Sequence, residues 1–502
     1  MKSRTFASST TNGALKLAAS ALFVTALSAC ANYAGIHSEK RIATPNQFDT
    51  ARTLPGENGH WPAANWVEQF GDAQLTQLIA EALKGSPTLE QAGARVGQAR
   101  AYSESARAGT LPRVDANYAL TRQQYSGVAL VPPPFSGSWQ TENKALVTAS
   151  YDLDIWGKHR EALKAAVSQA QAAQAEAQFV KLTLETAIAR AYNQLARLYA
   201  LRDIAAQEVA RRERIDAITA GRIATGLDTK VERETALSNL ATSRANVTAI
   251  DGSIASTRFQ LAALAGEGPD RGLSIARPAL GVGDEVRLPE NLPADLLGRR
   301  PDIVAARWRV DATTHDIKEA KAEFYPDINL SAAIGLDALG FGHFLSAAGR
   351  IASVGPAIHL PIFDAGALRA QLKGRYAQFD EAVAVYDQTL IAALSDVATR
   401  LSEVRSSDAQ LVDATAAEQA ARRADRLAIA QYEGGLTNQL TVLNADVIAL
   451  NAEQAVANLE MNRRDQAIAL ASALGGGYVD TSFNEVRRAD ALADASSVGA
   501  AR

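Results

Sequence analysis

Two hydrophobic patterns recur along the chain, one with a period of two and one with spacings of three and four. Four runs of about ten residues alternate apolar and polar side chains, which predicts strands with one apolar face. These runs lie at about 112–123, 143–154, 326–336 and 351–362. After each pair of strands, at about 159–265 and 366–475, apolar residues recur at helical spacings and predict coiled-coil-like helices.

The predicted helices are unusually long. From Gly366 to Tyr432 the chain holds about 67 residues without a proline, which corresponds to roughly 100 Å of helix. The stretch from His159 to Ile223 is its counterpart. Each stretch meets a glycine break, Gly226 or Gly434-Gly435, where glycine suits the left-handed backbone of a reversal. The sequence thus predicts a strand hairpin followed by an antiparallel pair of long helices.

The chain carries two copies of this unit. Tyr325-Pro326-Asp327-Ile328 follows Leu111-Pro112-Arg113-Val114 by 214 positions, and the glycines Gly226 and Gly435 are 209 positions apart. Matching order at a nearly constant offset identifies an internal repeat. The interpretation gives a first repeat at 66–266, a linker at 267–300, a second repeat at 301–477 and a disordered tail at 478–502. Its four prolines make the linker an irregular, surface-lying segment in this interpretation.

The N-terminus has the composition of a secretion signal. A basic lead precedes an apolar stretch of about 11 residues, Leu17 to Leu27, which is too short to span a bilayer. The stretch ends in Leu27-Ser28-Ala29-Cys30, and Cys30 is the only cysteine of the chain. This ending resembles the lipobox of bacterial lipoproteins, whereas the alternative is an ordinary signal peptide with a chance cysteine. The resemblance predicts a signal peptide at 1–29, N-palmitoyl and S-diacylglycerol lipid on Cys30, and a lipid-anchored extension at 30–65.

Charge and composition argue against several classes of function. The formal net charge is -4, and the first 29 residues hold three basic groups and no acid, so the mature chain is mildly acidic without a basic patch for nucleic acid. The six histidines do not pair at metal-ligand spacing, and the sequence lacks phosphate loops and nucleophile elbows. No catalytic, cofactor-binding or metal-binding residue is predicted, and we do not expect an enzyme.

The charge runs along the helices have a simple interpretation. Arg211-Arg212-Glu213-Arg214 and Arg422-Arg423 are predicted to be solvated faces of the two long helices.

Four strands per chain impose a constraint if they cross a membrane. Membrane barrels begin at about eight strands, because open sheet edges in lipid leave backbone groups unpaired. A chain with four such strands must therefore oligomerise. A half-buried hairpin of a water-soluble protein would show the same alternation, so the strands alone do not decide the question.

Several motifs resemble those of a known family. They are Phe70-Gly71-Asp72-Ala73-Gln74-Leu75, Arg299-Arg300-Pro301-Asp302-Ile303, Ala320-Lys321-Ala322-Glu323-Phe324-Tyr325-Pro326 and the segment from Tyr432 to Ala445. In this order, over nearly the whole mature chain, they resemble the outer-membrane efflux family typified by TolC and OprM, especially its NodT-like lipoprotein branch. The resemblance implies a mainly α fold with a membrane β-barrel portion. A homotrimer with four transmembrane strands per chain would form a 12-stranded β-barrel and an α-helical periplasmic tunnel.

The same resemblance implies a function. The protein would be the outer-membrane exit duct of a tripartite efflux system, lipid-anchored and with a long periplasmic portion. It would passively conduct substrates such as drugs from an inner-membrane pump, of RND type, and a periplasmic membrane-fusion adaptor. A type I-like protein secretion duct, with the same architecture, and a structural periplasmic coiled-coil lipoprotein remain the alternatives.

Individual positions follow from the family pattern. Leu440 and Asn444 fall where the family has its periplasmic aperture, with Asn444 in place of the usual aspartate and Asp446 facing elsewhere on the helix. Gly226, Leu227, Gly435 and Leu436 match the hairpin tips that contact the adaptor. A buried seam leucine is the alternative for Leu440, and simple helix reversal is the alternative for the tips.

Overall fold

The computed structural model describes residues 33–44, 47–50, 52–128, 132–281, 288–289 and 292–480, apart from the side chain of residue 294. Cys30, the predicted signal peptide and residues 481–502 of the predicted tail lie outside this part of the chain. The described residues form two compact units. The sheet unit contains residues 33–42, Val96–Ala173 and Ala306–Tyr386, and the tip unit contains the other described residues.

The elements follow the two repeats. A 3-10 helix (Trp66–Phe70) and α1 (Ala73–Gly85) come first. The rest of the first repeat contains α2 (Pro87–Ala108), β1 (Arg113–Gln124), β2 (Trp139–Asp152), α3 (Lys158–Ala224) and α4 (Lys230–Leu264). After α5 (Pro269–Leu273) and α6 (Leu292–Arg299), the second repeat contains α7 (Pro301–Ala322), β3 (Asp327–Leu339), β4 (Arg350–His359), α8 (Ala367–Glu433) and α9 (Gln439–Ala473). Among the described helices, none is both long and apolar enough to cross a membrane.

The helices of the two repeats have equal lengths. α2 and α7 each hold 22 residues, and their starts are 214 positions apart. α3 and α8 each hold 67 residues, α4 and α9 each hold 35, and both pairs are 209 positions apart. These are the offsets of the sequence repeat, so helical residues of one repeat can be equated with those of the other one by one.

The strand boundaries differ from the predicted ones by a few residues. β2 begins at Trp139, four residues before the predicted start, because it pairs with β1 up to the loop between them. β4 ends at His359, before the predicted position 362. Pro361 follows, and a proline has no amide hydrogen to continue the ladder.

The four strands form one antiparallel sheet in the order β1-β2-β3-β4, so β1 and β4 are its edges. The register aligns Ala116, Val147, Ile334 and Ala352 across the sheet. Since side chains alternate between faces, one face is apolar and exposed. Its large exposed members are Val114, Tyr118, Leu120, Trp139, Val147, Tyr151, Leu330, Ile334, Val354 and Ile358. The other face is polar and includes an ion pair of 3.2 Å between Lys144 and Asp337.

The linker between the repeats differs from the irregular surface segment that the sequence predicted. It contains the helices α5 and α6, and Ile275, Leu288, Leu292 and Leu296 within it are fully buried. The prediction was wrong because it weighed the prolines alone. Pro269 begins a helix rather than interrupting one, and the apolar residues between the prolines pack into the protein.

Two apolar cores are important for the rest of the description. The main core of the tip unit joins the 3-10 helix and α1 to α3, α4 and α9, with Phe70, Leu75, Tyr192, Leu261 and Ile468 as members. In the sheet unit, Ile36 of the N-terminal segment packs in a second core. The other buried members of that core are Ile317, Ala320, Phe324 and Leu372.

Candidate functional site at the helix reversals

Both long helix pairs reverse through the same backbone motif. Gly226 and Gly435 each have a φ of +76°, in the left-handed region that glycine adopts without strain. In each reversal the N–H of the next residue donates to the carbonyl five residues earlier, at 2.9 and 2.8 Å, which is the Schellman pattern. The residue after each glycine is a leucine directed outward. Leu227 is 63% exposed and Leu436 is 81% exposed.

The returning helices begin at side-chain caps. Before α4, the Thr229 side chain accepts a hydrogen bond from Val231 N–H at 3.2 Å, and Glu232 accepts from Thr229 N–H at 2.8 Å. Before α9, Asn438 Oδ1 accepts from Thr441 N–H at 3.1 Å. Each cap lies three residues after the left-handed glycine, so the sequence fixes the position of the turn at both reversals.

A polar contact joins the two reversals within the chain. Tyr432, the penultimate residue of α8, is fully buried, and its hydroxyl donates to Asp228 Oδ2 at 2.5 Å. Arg222 Nε lies 2.8 Å from the same carboxylate oxygen, and the guanidinium lies over the Tyr432 ring at 4.4 Å. The hydroxyl of Thr219 lies 3.1 Å from that of Tyr432. These contacts link the end of α3 and the first reversal to the end of α8.

The two predicted aperture residues lie on one exposed face of α9. Leu440 is 63% exposed, and Asn444, one turn later, is also exposed. Ile448, a further turn along, is 61% exposed. Val442 and Asp446 lie on the opposite side of the helix and are fully buried. The face with Leu440 and Asn444 is therefore directed away from the rest of the described part of its chain.

Asp446 belongs to a buried cluster of charges between α3 and α9. Arg211 Nε lies 3.0 Å from Asp446 Oδ1, and Arg212 Nη2 lies 2.6 Å from Oδ2. Glu208 pairs with both arginines, at 3.0 and 2.5 Å. The solvated face predicted for Arg211 and Arg212 is wrong, because their side chains are only 19% and 8% exposed. Arg214, by contrast, is 61% exposed, as a solvated face requires.

The cluster continues to α8. Glu453 on α9 lies 3.3 Å from Arg211 and 3.0 Å from Arg422. The side chain of Arg422 is 46% exposed, as a solvated face requires, and it also forms this ion pair. Asp425 on α8 is buried beside the same groups. Four buried carboxyl groups, Glu208, Asp425, Asp446 and Glu453, therefore face three guanidinium groups, Arg211, Arg212 and Arg422.

An excess of carboxyl groups favours retention of a proton. Burial raises the pKa of Asp446 to about 7, and the nearby charge of Glu208 adds to the shift against the attraction of Arg212 and Arg211. Burial also raises the pKa of Asp425. At the reversal, burial and the hydrogen bond to Asp228 raise the pKa of Tyr432, so its hydroxyl remains a donor at neutral pH.

Sequence reasoning singled out Leu440, Asn444 and the tip residues, which are exposed in the structure, but it missed the hydrogen bond of Tyr432 with Asp228 and the ion pair of Arg212 with Asp446. Each of these pairs joins residues more than 200 positions apart, which no local pattern reveals. The available signal was helical phase. Asp446 is four residues after the buried Val442, so it shares the buried face of α9.

The described residues contain no group of three or more histidine, cysteine, aspartate or glutamate side chains that could hold a metal ion. His315 lies 2.6 Å from Glu161 and 3.7 Å from Asp311, and His159 lies 2.9 Å from Asp152, so both histidines contact carboxylates.

Comparison with known proteins identifies the family. The sequence profile of the outer membrane efflux protein family matches residues 78–267 and 292–476, one segment in each repeat. The chain belongs to this family. The resemblance inferred from the sequence motifs is thereby confirmed, and the protein is an outer-membrane efflux channel, a passive conduit rather than an enzyme.

Relatives within the outer membrane efflux protein family support the assignment over most of the chain. The fusaric acid resistance protein FusA of Burkholderia cepacia is 38% identical over 72% of this chain and 69% of its own length. The multidrug resistance outer membrane protein MdtP of Escherichia coli K12 is 32% identical over 90% of this chain and 94% of its own. The crystal structure of the outer membrane protein VceC from Vibrio cholerae matches with a TM-score of 0.79 and 37% identity. It covers 83% of this chain and 100% of that one.

Proposed function

We propose that this channel works as a homotrimer and is the exit duct of a tripartite efflux system with an RND-type inner-membrane pump and a periplasmic adaptor. The pump supplies the energy, and the channel supplies a gated path across the outer membrane. Relatives named for multidrug resistance and fusaric acid resistance support small drug-like molecules as substrates. A protein secretion duct would share the architecture and is an outcome that the substrate test below distinguishes.

The open four-stranded sheet is the observation that supports the proposed trimer. Its apolar face suits lipid, its opposite face is polar, and both edge strands, β1 and β4, lack a partner among the described residues. Unpaired strand edges are not tolerated in a bilayer. Three chains give twelve strands, which exceeds the minimum of about eight for a closed barrel.

The first experiment is to measure the molar mass of the detergent-extracted full chain by light scattering, corrected for bound detergent. We expect a closed trimer. A stable monomer would leave two unpaired edges and would overturn the proposal.

The second experiment tests the substrate class. A strain that lacks the channel gene, complemented with the wild-type chain, is expected to regain resistance to fusaric acid or to other small inhibitors in a panel. Restored secretion of a protein without any change in drug resistance would instead favour the secretion duct.

We propose that the exposed leucines of the reversals, Leu227 and Leu436, contact the adaptor beside Gly226 and Gly435. In the Schellman motif this position often packs on its own helix, yet here both side chains are directed outward. Leu227→Ser with Leu436→Ser should lower drug resistance without lowering the amount of trimer. Leu345→Ser, which alters an 85% exposed leucine in the β3–β4 loop, is the matched control. Equal resistance of all strains would contradict the contact.

We propose that Leu440 and Asn444 form the narrow periplasmic aperture, where three copies of their exposed face would meet. Leu440→Ser should widen this ring and raise the single-channel conductance in planar bilayers. Asn444→Asp should make the conductance sensitive to divalent cations, because a ring of carboxylates binds them and a ring of amides binds them weakly. Unchanged conductance in both variants would place the constriction elsewhere.

We propose that Cys30 carries the lipid anchor. Tyr33, three residues later, packs on Phe324 with ring centroids 5.5 Å apart, and its hydroxyl lies 3.2 Å from that of Tyr325, just before β3. Three residues span at most about 10 Å, so acyl chains on Cys30 would enter the membrane close to this end of the sheet. Mass spectrometry should find the acyl groups on the wild type and not on Cys30→Ser. An unmodified wild-type cysteine would contradict the proposal.

A further inference from the structure

The apolar face of the sheet ends at a pair of stacked aromatic side chains. Trp156, between β2 and α3, stacks on Tyr325, just before β3, with ring centroids 4.5 Å apart. The indole N–H of Trp156 donates to the carbonyl of Pro326 at 2.9 Å, and the residue is 47% exposed. Tryptophan and tyrosine are enriched where a membrane meets water, because each has an apolar body and a polar group. This end of the sheet therefore fits the headgroup level of the membrane in the proposed barrel.

A lysine beside this end of the sheet contacts aromatic rings rather than a carboxylate. Lys321, in the last turn of α7, has its ammonium nitrogen 5.7 Å from the ring centroid of Tyr33 and 5.7 Å from that of Tyr376. Among the described residues, no acidic side chain forms an ion pair with Lys321. The two rings fix the position of the ammonium group, and its positive charge is not neutralised.

Two more cations lie in the first two turns of α8. Arg369 donates to the carbonyl of Ala34 at 3.3 Å. Lys373, one turn later, is exposed, and no carboxylate in the described part of the chain pairs with it. Tyr376, whose ring contacts Lys321, comes three residues after Lys373, so the two share a face of α8. Lys321 and Arg369 thus contact the N-terminal segment directly, and Lys373 lies beside them along α8.

The acidic side chains closest in sequence to these lysines have other partners or project elsewhere. Glu323 lies 3.5 Å from Lys158. Asp380 accepts a hydrogen bond from a serine hydroxyl of the N-terminal segment. Glu319 is two positions from Lys321 and therefore projects from the opposite side of α7. The two lysines therefore keep a positive charge that these carboxylates do not match.

The membrane lies on the side of the chain that carries these lysines. Tyr33 is three residues after Cys30, so the proposed acyl chains enter the membrane within about 10 Å of it. Helix α7 leads into β3, and β4 leads into α8, so Lys321 and Lys373 lie beyond the same end of the sheet. The headgroup region of each leaflet is roughly 5–7 Å thick, which is about one turn of helix. Headgroups can therefore reach the end of α7 and the start of α8.

Resting on the proposed membrane barrel and lipid anchor, we infer that Lys321 and Lys373, with Arg369 beside them, bind the headgroup of an anionic phospholipid in the periplasmic leaflet of the outer membrane. Both ammonium groups donate to the phosphodiester, and the acyl chains lie along the apolar face of the sheet. A zwitterionic headgroup fits less well, because the two lysines repel its own positive group. The bound lipid holds this end of the sheet at the level of the headgroups.

Lipid binding to the delipidated full chain in detergent tests the site. Native mass spectrometry gives the dissociation constants of phosphatidylglycerol and phosphatidylcholine. The wild type should bind phosphatidylglycerol more tightly. Lys321→Gln with Lys373→Gln should weaken phosphatidylglycerol binding roughly 20-fold, because each basic group at an anionic surface contributes about fivefold. Binding of phosphatidylcholine should not change.

Two control variants separate the site from general charge and from folding. Lys84→Gln with Lys230→Gln removes the same charge from two exposed lysines of the tip unit and should keep the wild-type affinity. Lys321→Arg with Lys373→Arg keeps the charge and should keep the preference for phosphatidylglycerol. Glycerol 3-phosphate, which has the phosphate but no acyl chains, should not compete.

Equal affinity of the wild type for the two lipids would overturn the site, as would wild-type affinity after Lys321→Gln with Lys373→Gln. Competition by glycerol 3-phosphate would also overturn it, because the ligand would then be a soluble phosphate. The light-scattering mass of the same samples separates these failures from that of the proposed function. A trimer without lipid preference overturns the lipid site alone, whereas a monomer overturns the proposed barrel on which the site rests.

Discussion

The first and second repeats share helix lengths and turn motifs, yet their long helices carry different chemistry on the face that meets the other repeat. α3 has Glu161, Arg190, Arg197 and Arg211 there, and all four form ion pairs or hydrogen bonds. The equivalent positions of α8 are alanine, threonine or serine and are exposed. The two long helices thus have equivalent faces with different roles. The face of α3 contacts the second repeat of the same chain, whereas the equivalent face of α8 is exposed.

This difference predicts which helix contacts are the more rigid. Buried charges that lose a partner are costly, so the contacts between α3 and α9 hold the two helix pairs of one chain together. The hydrogen bond from Tyr432 to Asp228 likewise holds the two reversals of one chain together. The equivalent hydrogen bond with the two repeats exchanged cannot form. Ile223 occupies the position equivalent to Tyr432, and Thr437 occupies the position equivalent to Asp228. Motion between protomers is therefore expected to be easier than motion within one.

The largest expected loss of stability follows from removing a buried charge of α3, which has no charged equivalent on α8. Arg212→Ala leaves Asp446 and Glu208 without a cation that now lies at 2.6 and 2.5 Å, and we expect a loss of about 3–5 kcal/mol in stability. The measurement is the thermal unfolding midpoint in detergent. Arg423→Ala, at an exposed position of α8, should change stability by no more than about 0.5 kcal/mol. Equal midpoints for the two variants would contradict the asymmetry.

A smaller effect is expected at the reversals. Tyr432→Phe keeps the ring but removes the hydroxyl that bonds to Asp228 and Thr219, and the expected loss is about 1.5–3 kcal/mol. Limited proteolysis at the reversals, together with thermal unfolding, measures it. Tyr102→Phe, at a tyrosine of α2 that is 64% exposed, is the control and should behave as wild type. Wild-type protease resistance in Tyr432→Phe would mean that the hydrogen bond from Tyr432 to Asp228 has no structural role.

The smallest expected effect is a dependence on pH. The pKa of Asp446 rises from an ordinary 3.8 to about 7 in the folded chain, so the folded state binds a proton that the unfolded state releases. The resulting stabilisation is complete below about pH 4 and is lost as the pH rises towards 7.

Asp446→Asn cannot titrate and tests this dependence. The unfolding midpoint of the wild type should fall more between pH 5 and pH 8 than that of Asp446→Asn, because only the wild type loses the proton bound at Asp446. The same fall in both proteins would assign the titration to another group of the cluster.

The sequence alone accounts for much of this fold because the relevant signals are local. Alternation of side chains gives the strands, glycine with a following cap gives each reversal, and the constant offset gives the repeat. The phase of α9 was also accessible, since Leu440 and Asn444 are one turn apart and share a face. These features depend on residues close together in the chain, where propensity and geometry act directly.

Only the tertiary structure decided which charged residues are buried and what covers the linker. Arg211 and Arg212 have the sequence pattern of a solvated face, but helix α9, more than 200 positions later, brings Asp446 against them. Leu288 and Leu292 of the linker are buried although prolines surround them, because the interior of the protein offers more apolar contact than a surface loop. Whether a residue is buried depends on which distant segments of the chain pack against it, and neither the local sequence pattern nor the composition gives that information.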